Sequence, residues 1–294
     1  MYRPRLFFLI GAIFCLFLSI SIIHQDCKAA TIGVLAKRGK QKAIQKWTPL
    51  AEYLTKKTGE KFTLLPLAFD EIFSAVALRK IDYILVNPGY YVVLNKTYGV
   101  KAIASLKNIR NGKALSKFGG VIFARKDGSI KKLSDIKGKR FMCVKMNSFG
   151  GAQMAFKHMI DKGLNPFRDT DLVEGGTHDN VVYAVRDKKV EVGTVRSDTL
   201  ERMEMEGKIT MKSFRVIDKV IDDFPFVHST NLYPEWPFAA LSTASSKINN
   251  KVYRALLAIK SSDDVAIKAK IAGWTNPLDY SSVENCLNSV RNAP

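Results

Sequence analysis

The residues best suited to chemistry in this chain fall in four short loops, each lying between an apolar strand-like run and a helix-like one. Ala36-Lys37-Arg38-Gly39 places two cations straight after Thr31–Leu35, and Asn87-Pro88-Gly89-Tyr90-Tyr91 follows Tyr83–Val86. Asn147-Ser148-Phe149-Gly150-Gly151 opens a helix. Thr177-His178-Asp179 opens another, and Val195-Arg196-Ser197-Asp198 follows the next strand. A helix start presents unpaired backbone N–H groups and a partial positive charge, which together attract oxyanions. The glycines at 150 and 151 let an anion approach the backbone, and Asn147 or Ser148 adds a donor. A plain N-cap with glycines serving the turn is the competing reading.

Arg196 has the planar fork for a bidentate grip on an oxyanion, or else it pairs at the surface with Asp198 or Glu201. Tyr90 and Tyr91 are candidates for lining a pocket, with at least one of them expected in the core. His178 reads as a capping or hydrogen-bonding residue before a catalyst. The four histidines (His24, His158, His178, His228) show no H-x-H or H-E-x-x-H spacing, so no metal site is expected. There is no G-x-S-x-G elbow, Walker loop or dinucleotide fingerprint. No cofactor is expected and no enzymatic reaction, a transferase on the same fold being the remaining alternative.

The elements that must hold these loops are those of an α/β protein. Ile44, Trp47, Leu50, Ala51 and Leu54 recur at three- and four-residue spacing and predict an amphipathic helix ending at Thr58-Gly59. Phe62–Leu67 is a strand, Asp70 caps a helix through Leu78, and Tyr83–Val86 is a strand. This order predicts βαβ units and a mainly parallel sheet with helices on both faces. It then repeats. Gly120–Ala124, Arg140–Val144, Asp171–Glu174 and Val190–Val195 read as strands; Ala152–Lys162, Asn180–Arg186 and Asp198–Glu206 read as helices. Phe214–Ile217, Phe226–Ser229 and Trp236–Leu241 look extended, and Lys247–Ile259, Val265–Ile271 and Ser281–Val290 helical. Two α/β lobes with a cleft between them follow, and ligands of such sheets bind outside the carboxyl ends of strands.

Residues 1–29 read as a secretory signal: Arg3 and Arg5, the uncharged stretch Leu6–Ile23, then Cys27-Lys28-Ala29 for cleavage after Ala29. The apolar stretch is nearly long enough to remain as an inner-membrane anchor, and either outcome exports Thr31 onward. Removal of the signal takes Cys15 and Cys27 with it. Cys143, in the apolar run Phe141–Val144, reads as a buried structural thiol, with a Cys143–Cys286 bridge as the oxidised alternative. The 294 residues carry +19, of which +17 belongs to the part after Ala29. Such an excess attracts anions, but no nucleic-acid-binding motif accompanies it.

The loops, in their order, resemble those of the phosphonate-type (PhnD-like) periplasmic binding proteins, and more closely the branch serving as input domains of tetrathionate-sensing histidine kinases. The matching stretches include IGVLAKRG (32–39), WTPLAEYL (47–54), VNPGYY (86–91), NSFGGAQ (147–153), HDNVVYAVRD (178–187), GTVRSDTLERM (193–203) and STNLYPEWPFAAL (229–241). The resemblance implies a type II periplasmic-binding fold, two α/β lobes joined by hinge strands, with residues 30–122 plus 239–294 in one lobe and 123–238 in the other. It implies ligand contacts from Arg38, Asn87, Tyr90, Tyr91, Asn147, Ser148, Phe149, Gly150, Gly151, His178, Asp179 and Arg196. Phosphonate binders usually carry a Ser-Thr-Ser-Gly run at the helix start. Here only Ser148 matches it, with Phe149 and Gly150 replacing two hydroxyl donors. The expected protein is a periplasmic monomer that closes around a small oxyanion of phosphorus or sulfur. Its partner would be an ABC permease or a membrane sensor kinase, since the sensor branch normally continues into a kinase and this sequence ends at Pro294.

Overall fold

The computed structural model describes residues 29–110 and 112–293; the predicted signal, with Cys15 and Cys27, lies outside the described residues. The elements run β1 (Ala30–Leu35), α1 (Lys40–Thr58), β2 (Phe62–Leu67), α2 (Ile72–Ala77), β3 (Tyr83–Leu85), α3 (Pro88–Tyr98), β4 (Lys101–Arg110), β5 (Lys113–Leu115), β6 (Lys117–Phe118), β7 (Gly120–Arg125) and β8 (Arg140–Cys143). They continue with α4 (Met154–Asp161), α5 (Pro166–Asp169), β9 (Asp171–Glu174), α6 (His178–Arg186), β10 (Val192–Arg196), α7 (Thr199–Met205) and β11 (Phe214–Ile217). The chain closes with β12 (Tyr233–Pro234), β13 (Pro237–Ala240), α8 (Ser246–Leu257), α9 (Asp264–Ala269), β14 (Ile271–Thr275) and α10 (Ser281–Arg291).

Two sheets result. The first has the order β14-β4-β13-β3-β1-β2, with β5 beside β4; the second has the order β11-β7-β10-β8-β9. Strands β6 and β12 pair antiparallel as a separate two-stranded ribbon. The chain leaves the first sheet through Lys117–Phe118 and returns to it through Tyr233–Pro234, so this ribbon is the crossing between lobes.

The sheets are mixed, which corrects the expectation of mainly parallel ones. Among the described residues only β2-β1-β3 and β9-β8-β10 are parallel. The strands nearest the crossing (β13, β4 and β14 in the first sheet, β7 and β11 in the second) pair antiparallel, because chain that crosses between lobes meets its neighbours head-on.

Helix α1 buries Ala43, Trp47, Leu50, Ala51 and Leu54, while Ile44 is 40% exposed, so the inward stripe begins one position earlier than its periodicity predicts. Burying Leu50 and Leu54 contributes about 1.5–3 kcal/mol each. The helix ends where expected, at Gly59 in the left-handed conformation.

Other differences have local causes. Asn87–Tyr91 is no open loop: Asn87 caps α3, with Pro88 at its first position, a start pattern that fixes the helix at once. The helix expected from Val265 to Ile271 stops at Ala269. Lys270 turns left-handed (φ 51°), and Ile271 begins β14. Phe226–Ser229 forms no strand. Ser229 instead ties to the second sheet through its side chain, with Oγ accepting from the Ile122 N–H at 3.0 Å and donating to the Ile217 carbonyl at 2.6 Å. Cys143 and Cys286 are both free and buried, and burial pushes each thiol up to about 12. Among the described residues no helix is long and apolar enough to cross a membrane.

Candidate functional site

A cleft of about 980 Å³ opens where the carboxyl ends of β1 and β10 face each other. One wall carries Lys37 and Arg38 from the loop after β1, Lys46 and Trp47 from α1, and Trp236 from the segment following β12. The other carries His178 at the start of α6, Arg196 and Asp198 at the end of β10, and Glu201, Arg202 and Met205 from α7. Nine lysines and arginines line it against four aspartates and glutamates. A cleft with that imbalance and low-dielectric walls concentrates anions.

At its floor Arg196, 6% exposed, donates from Nη2 to Glu235 Oε1 at 2.7 Å. Its Nε lies 3.6 Å from Asp198 Oδ1 and donates to the Ser197 carbonyl at 3.3 Å. The Phe118 ring of β6 covers the guanidinium at 4.1 Å. Glu235, 1% exposed, also accepts from Asn108 Nδ2 of β4 at 2.5 Å. The sequence offered Asp198 or Glu201 as a surface partner for Arg196. The structure keeps Asp198, at 3.6 Å and buried rather than at the surface, and adds a buried ion pair with Glu235, which the crossing ribbon of β6 and β12 brings to the end of β10.

His178 is 5% exposed, and its Nδ1 accepts from the Arg196 backbone N–H at 3.3 Å. Burial, reinforced by the positive charges of Lys37 and Arg196, holds the imidazole well below its ordinary value. The neutral ring therefore carries its proton on Nε2. Thr177 rather than His178 is the cap of α6, its hydroxyl accepting from Asn180 N.

At the rim Arg38 reaches across to the second lobe. Its Nη2 lies 3.0 Å from Asp179 Oδ2 and 3.2 Å from Glu206 Oε2. Arg202 and Lys208 join the same carboxylates. Burial alone would raise the Glu206 carboxyl, but Lys208, Arg202 and Arg38 pull it down to about 2. Asp179 is likewise lowered, with Arg202 and Arg38 overcoming its burial.

Arg38, His178 and Arg196 thus line one cleft, with Asp179 bound to its rim. The remaining expected residues gather at a neighbouring junction that does not line it. Asn87 Oδ1 accepts from Tyr90 N at 3.0 Å, which spends it as a cap. Tyr90 is 2% exposed, with its hydroxyl on the Phe69 carbonyl, and so belongs to the core. Tyr91 accepts from Ala102 N at 3.3 Å and packs edge-on against Tyr280. Asn147 is exposed and Ser148 buried, and Phe149–Gln153 winds as a single π-helical turn before α4. Phe149 packs edge-on between Phe118 and Tyr233. A Cβ at Gly150 would stand 2.9 Å from that of Arg196, and one at Gly151 would stand 2.9 Å from His178 Cε1. These glycines therefore let the turn seat against the two cleft residues.

The spacing of residues did not reveal Lys46, Trp47, Trp236 or Glu235. Lys37 was visible only as half of a cation pair. Nζ of Lys46 stands 4.8 Å over the Trp47 ring, and Nζ of Lys37 stands 5.1 Å over the Trp236 ring. Trp47 and Trp236 each carry the periodicity of a core residue, and only the meeting of two distant segments exposes them to one cavity. Among the described residues no cluster of His, Cys, Asp and Glu could hold a metal.

Two α/β lobes joined by a crossing ribbon, with a cationic cleft between them, define a periplasmic binding protein of the type II fold. Residues 32–281 match the family described as ABC transporter, phosphonate, periplasmic substrate-binding protein, and the chain belongs to that family. It is 35% identical over 266 residues to the tetrathionate sensor histidine kinase TtrS of Salmonella typhimurium, covering 90% of this chain and 44% of that one. It is 22% identical over 231 residues to the phosphonates-binding periplasmic protein of Escherichia coli, covering 73% of this chain and 65% of that one. The chain thus spans less than two thirds of either relative. Among solved structures, PhnD1 of Prochlorococcus marinus in complex with methylphosphonate superposes with a TM-score of 0.75 at 13% identity, over 90% of this chain and 98% of that one. A binding-protein component of an ABC phosphonate transporter from Pseudomonas aeruginosa gives 0.74 at 16% identity, over 90% and 86%. At such identities these structures speak for the fold.

Proposed function

We propose that this protein is a periplasmic solute-binding protein that closes around a small oxyanion of phosphorus or sulfur, catalyses nothing itself, and hands the solute to an ABC permease. The observation that carries this reading is the cleft between the two lobes, with nine cationic side chains against four carboxylates. Closure is a shift between open and closed populations, driven by a ligand that contacts both walls at once. A ligand preferring the folded, closed state raises the melting temperature by mass action. Thermal melts with methylphosphonate, phosphate, sulfate, thiosulfate and tetrathionate test the reading. One of them is expected to shift the transition saturably, and silence from all five removes the oxyanion class.

Delivery to a membrane histidine kinase is the second reading, supported by the 35% identity to the tetrathionate sensor kinase. Deleting the gene separates the two: a transport role loses uptake of the labelled anion, and a sensory role loses only the transcriptional response to it.

A further inference from the structure

We propose that Lys37, and not Arg196, is the cation that pairs with the ligand's anionic group. This deepens the binding reading above and rests on it. Arg196 looked the stronger candidate from sequence, yet its charge is spent inside the protein on Glu235 and Asp198, beneath the Phe118 ring. Lys37 stands at the carboxyl end of β1, lines the cleft, and has only the Trp236 ring beneath its ammonium, at 5.1 Å. Among the described residues no carboxylate, carbonyl or hydroxyl accepts from its Nζ.

The charged groups around Lys37 do not compensate it. Arg196 and Asp198 face it from the end of β10, Lys46 from α1, Glu235 from the segment after β12, and His178 from the start of α6. Burial, then the positive charge of Arg196, depresses the ammonium well below its ordinary value, against weaker support from Asp198 and Glu235. Lys37 is half-buried on the cleft wall, so its ammonium faces the space a ligand would enter rather than the core. An anion entering the cleft supplies the missing acceptor, and the indole of Trp236 offers it an apolar flank. Recognition is therefore of a charged oxygen brought against one ammonium, with the neutral His178 Nε2–H as a further donor on the facing wall.

Calorimetric titration of wild type, K37R and K37M with the same five anions tests this, together with melts of each variant in the absence of added anion. For whichever anion saturates the wild type, K37M is expected to bind about 10- to 100-fold more weakly, the worth of one charge-assisted hydrogen bond. K37R is expected to keep most of the affinity. At alkaline pH wild-type binding is expected to take up protons, read as heats that differ between buffers of different ionisation enthalpy, and K37M is expected to lose that uptake. Without ligand, K37M is expected to melt close to the wild type, since the Lys37 ammonium faces the cleft and pairs with no carboxylate among the described residues. Unchanged affinity in K37M, or a K37M that melts well below the wild type and shows Lys37 to be a structural cation, overturns the proposal. If none of the five anions binds the wild type, the oxyanion reading fails. The ligand-free melt still decides whether Lys37 is uncompensated.

Discussion

The Arg38 guanidinium, carried on the loop after β1, lies 3.0 Å from the Asp179 carboxylate at the second residue of α6, so that a single side chain joins the two lobes across the mouth of the cleft. Its second contact, 3.2 Å to Glu206 of the segment ending α7, crosses the same gap. Both contacts exist only while the mouth is shut. Arg38→Gln is therefore expected to enlarge the radius of gyration of the ligand-free protein in small-angle scattering. High salt, which screens such rim charges, is expected to do the same to the wild type. The change in unfolding free energy should stay within about 1 kcal/mol, as for other partly exposed ion pairs. An unchanged radius in the variant would show that the lobes are held by the ribbon alone.

His178 and the rim carboxylates together make the protein acid-labile in two stages. His178 has a lowered folded value, so stability falls as pH drops below 6.5, where the unfolded histidine takes up a proton that the buried ring refuses. Asp179 and Glu206 are also lowered. Their contribution is complete above about 4.5 and is lost as pH falls toward about 2, the folded value of Glu206. Urea unfolding across this range should show both limbs, and His178→Asn should remove the upper one.

Arg196 and Glu235 test the floor. Arg196→Met leaves Glu235 buried without its cation, at an expected loss of about 3–5 kcal/mol in unfolding free energy. The double variant Arg196→Met/Glu235→Met should recover part of that loss, because Glu235 no longer stands as a bare charge while the buried Asp198 still lacks its Arg196 contact. A single variant as stable as wild type would mean that water reaches the carboxylate.

Gly151 tests the close seat of the π-helical turn. An added Cβ would stand 2.4 Å from Val144 Cγ2 and 2.9 Å from both Ser148 Oγ and His178 Cε1. Gly151→Ala is expected to cost about 1–3 kcal/mol by overpacking and to weaken any ligand contact made through His178. Gly99, left-handed at φ 65° with open space around it, should lose only about 1 kcal/mol as alanine. Equal losses at the two sites, measured by urea unfolding, would argue against the packing account.

Much of the fold was legible because each signal was local. Leu50 and Leu54 lie on a buried stripe that a period of 3.6 residues reveals, and Gly59 ends α1 by its own conformational freedom. The loops after β1, β9 and β10 place Arg38, His178 and Arg196 along one cleft. Asn87 Oδ1 caps α3 and the Tyr90 hydroxyl bonds the Phe69 carbonyl, and neither residue lines the cleft.

The sequence by itself determined two α/β halves, the loops at their strand ends, and a surplus of positive charge. Only the tertiary structure decided which cations are neutralised. Glu235 reaches Arg196 because the chain crosses back between lobes beside β6, while Lys37, one residue from Arg38, finds an indole face where Arg38 finds two carboxylates. Charge compensation acts over a few ångströms through space, and residues 39 positions apart or more meet at such distances without leaving any periodic trace along the chain.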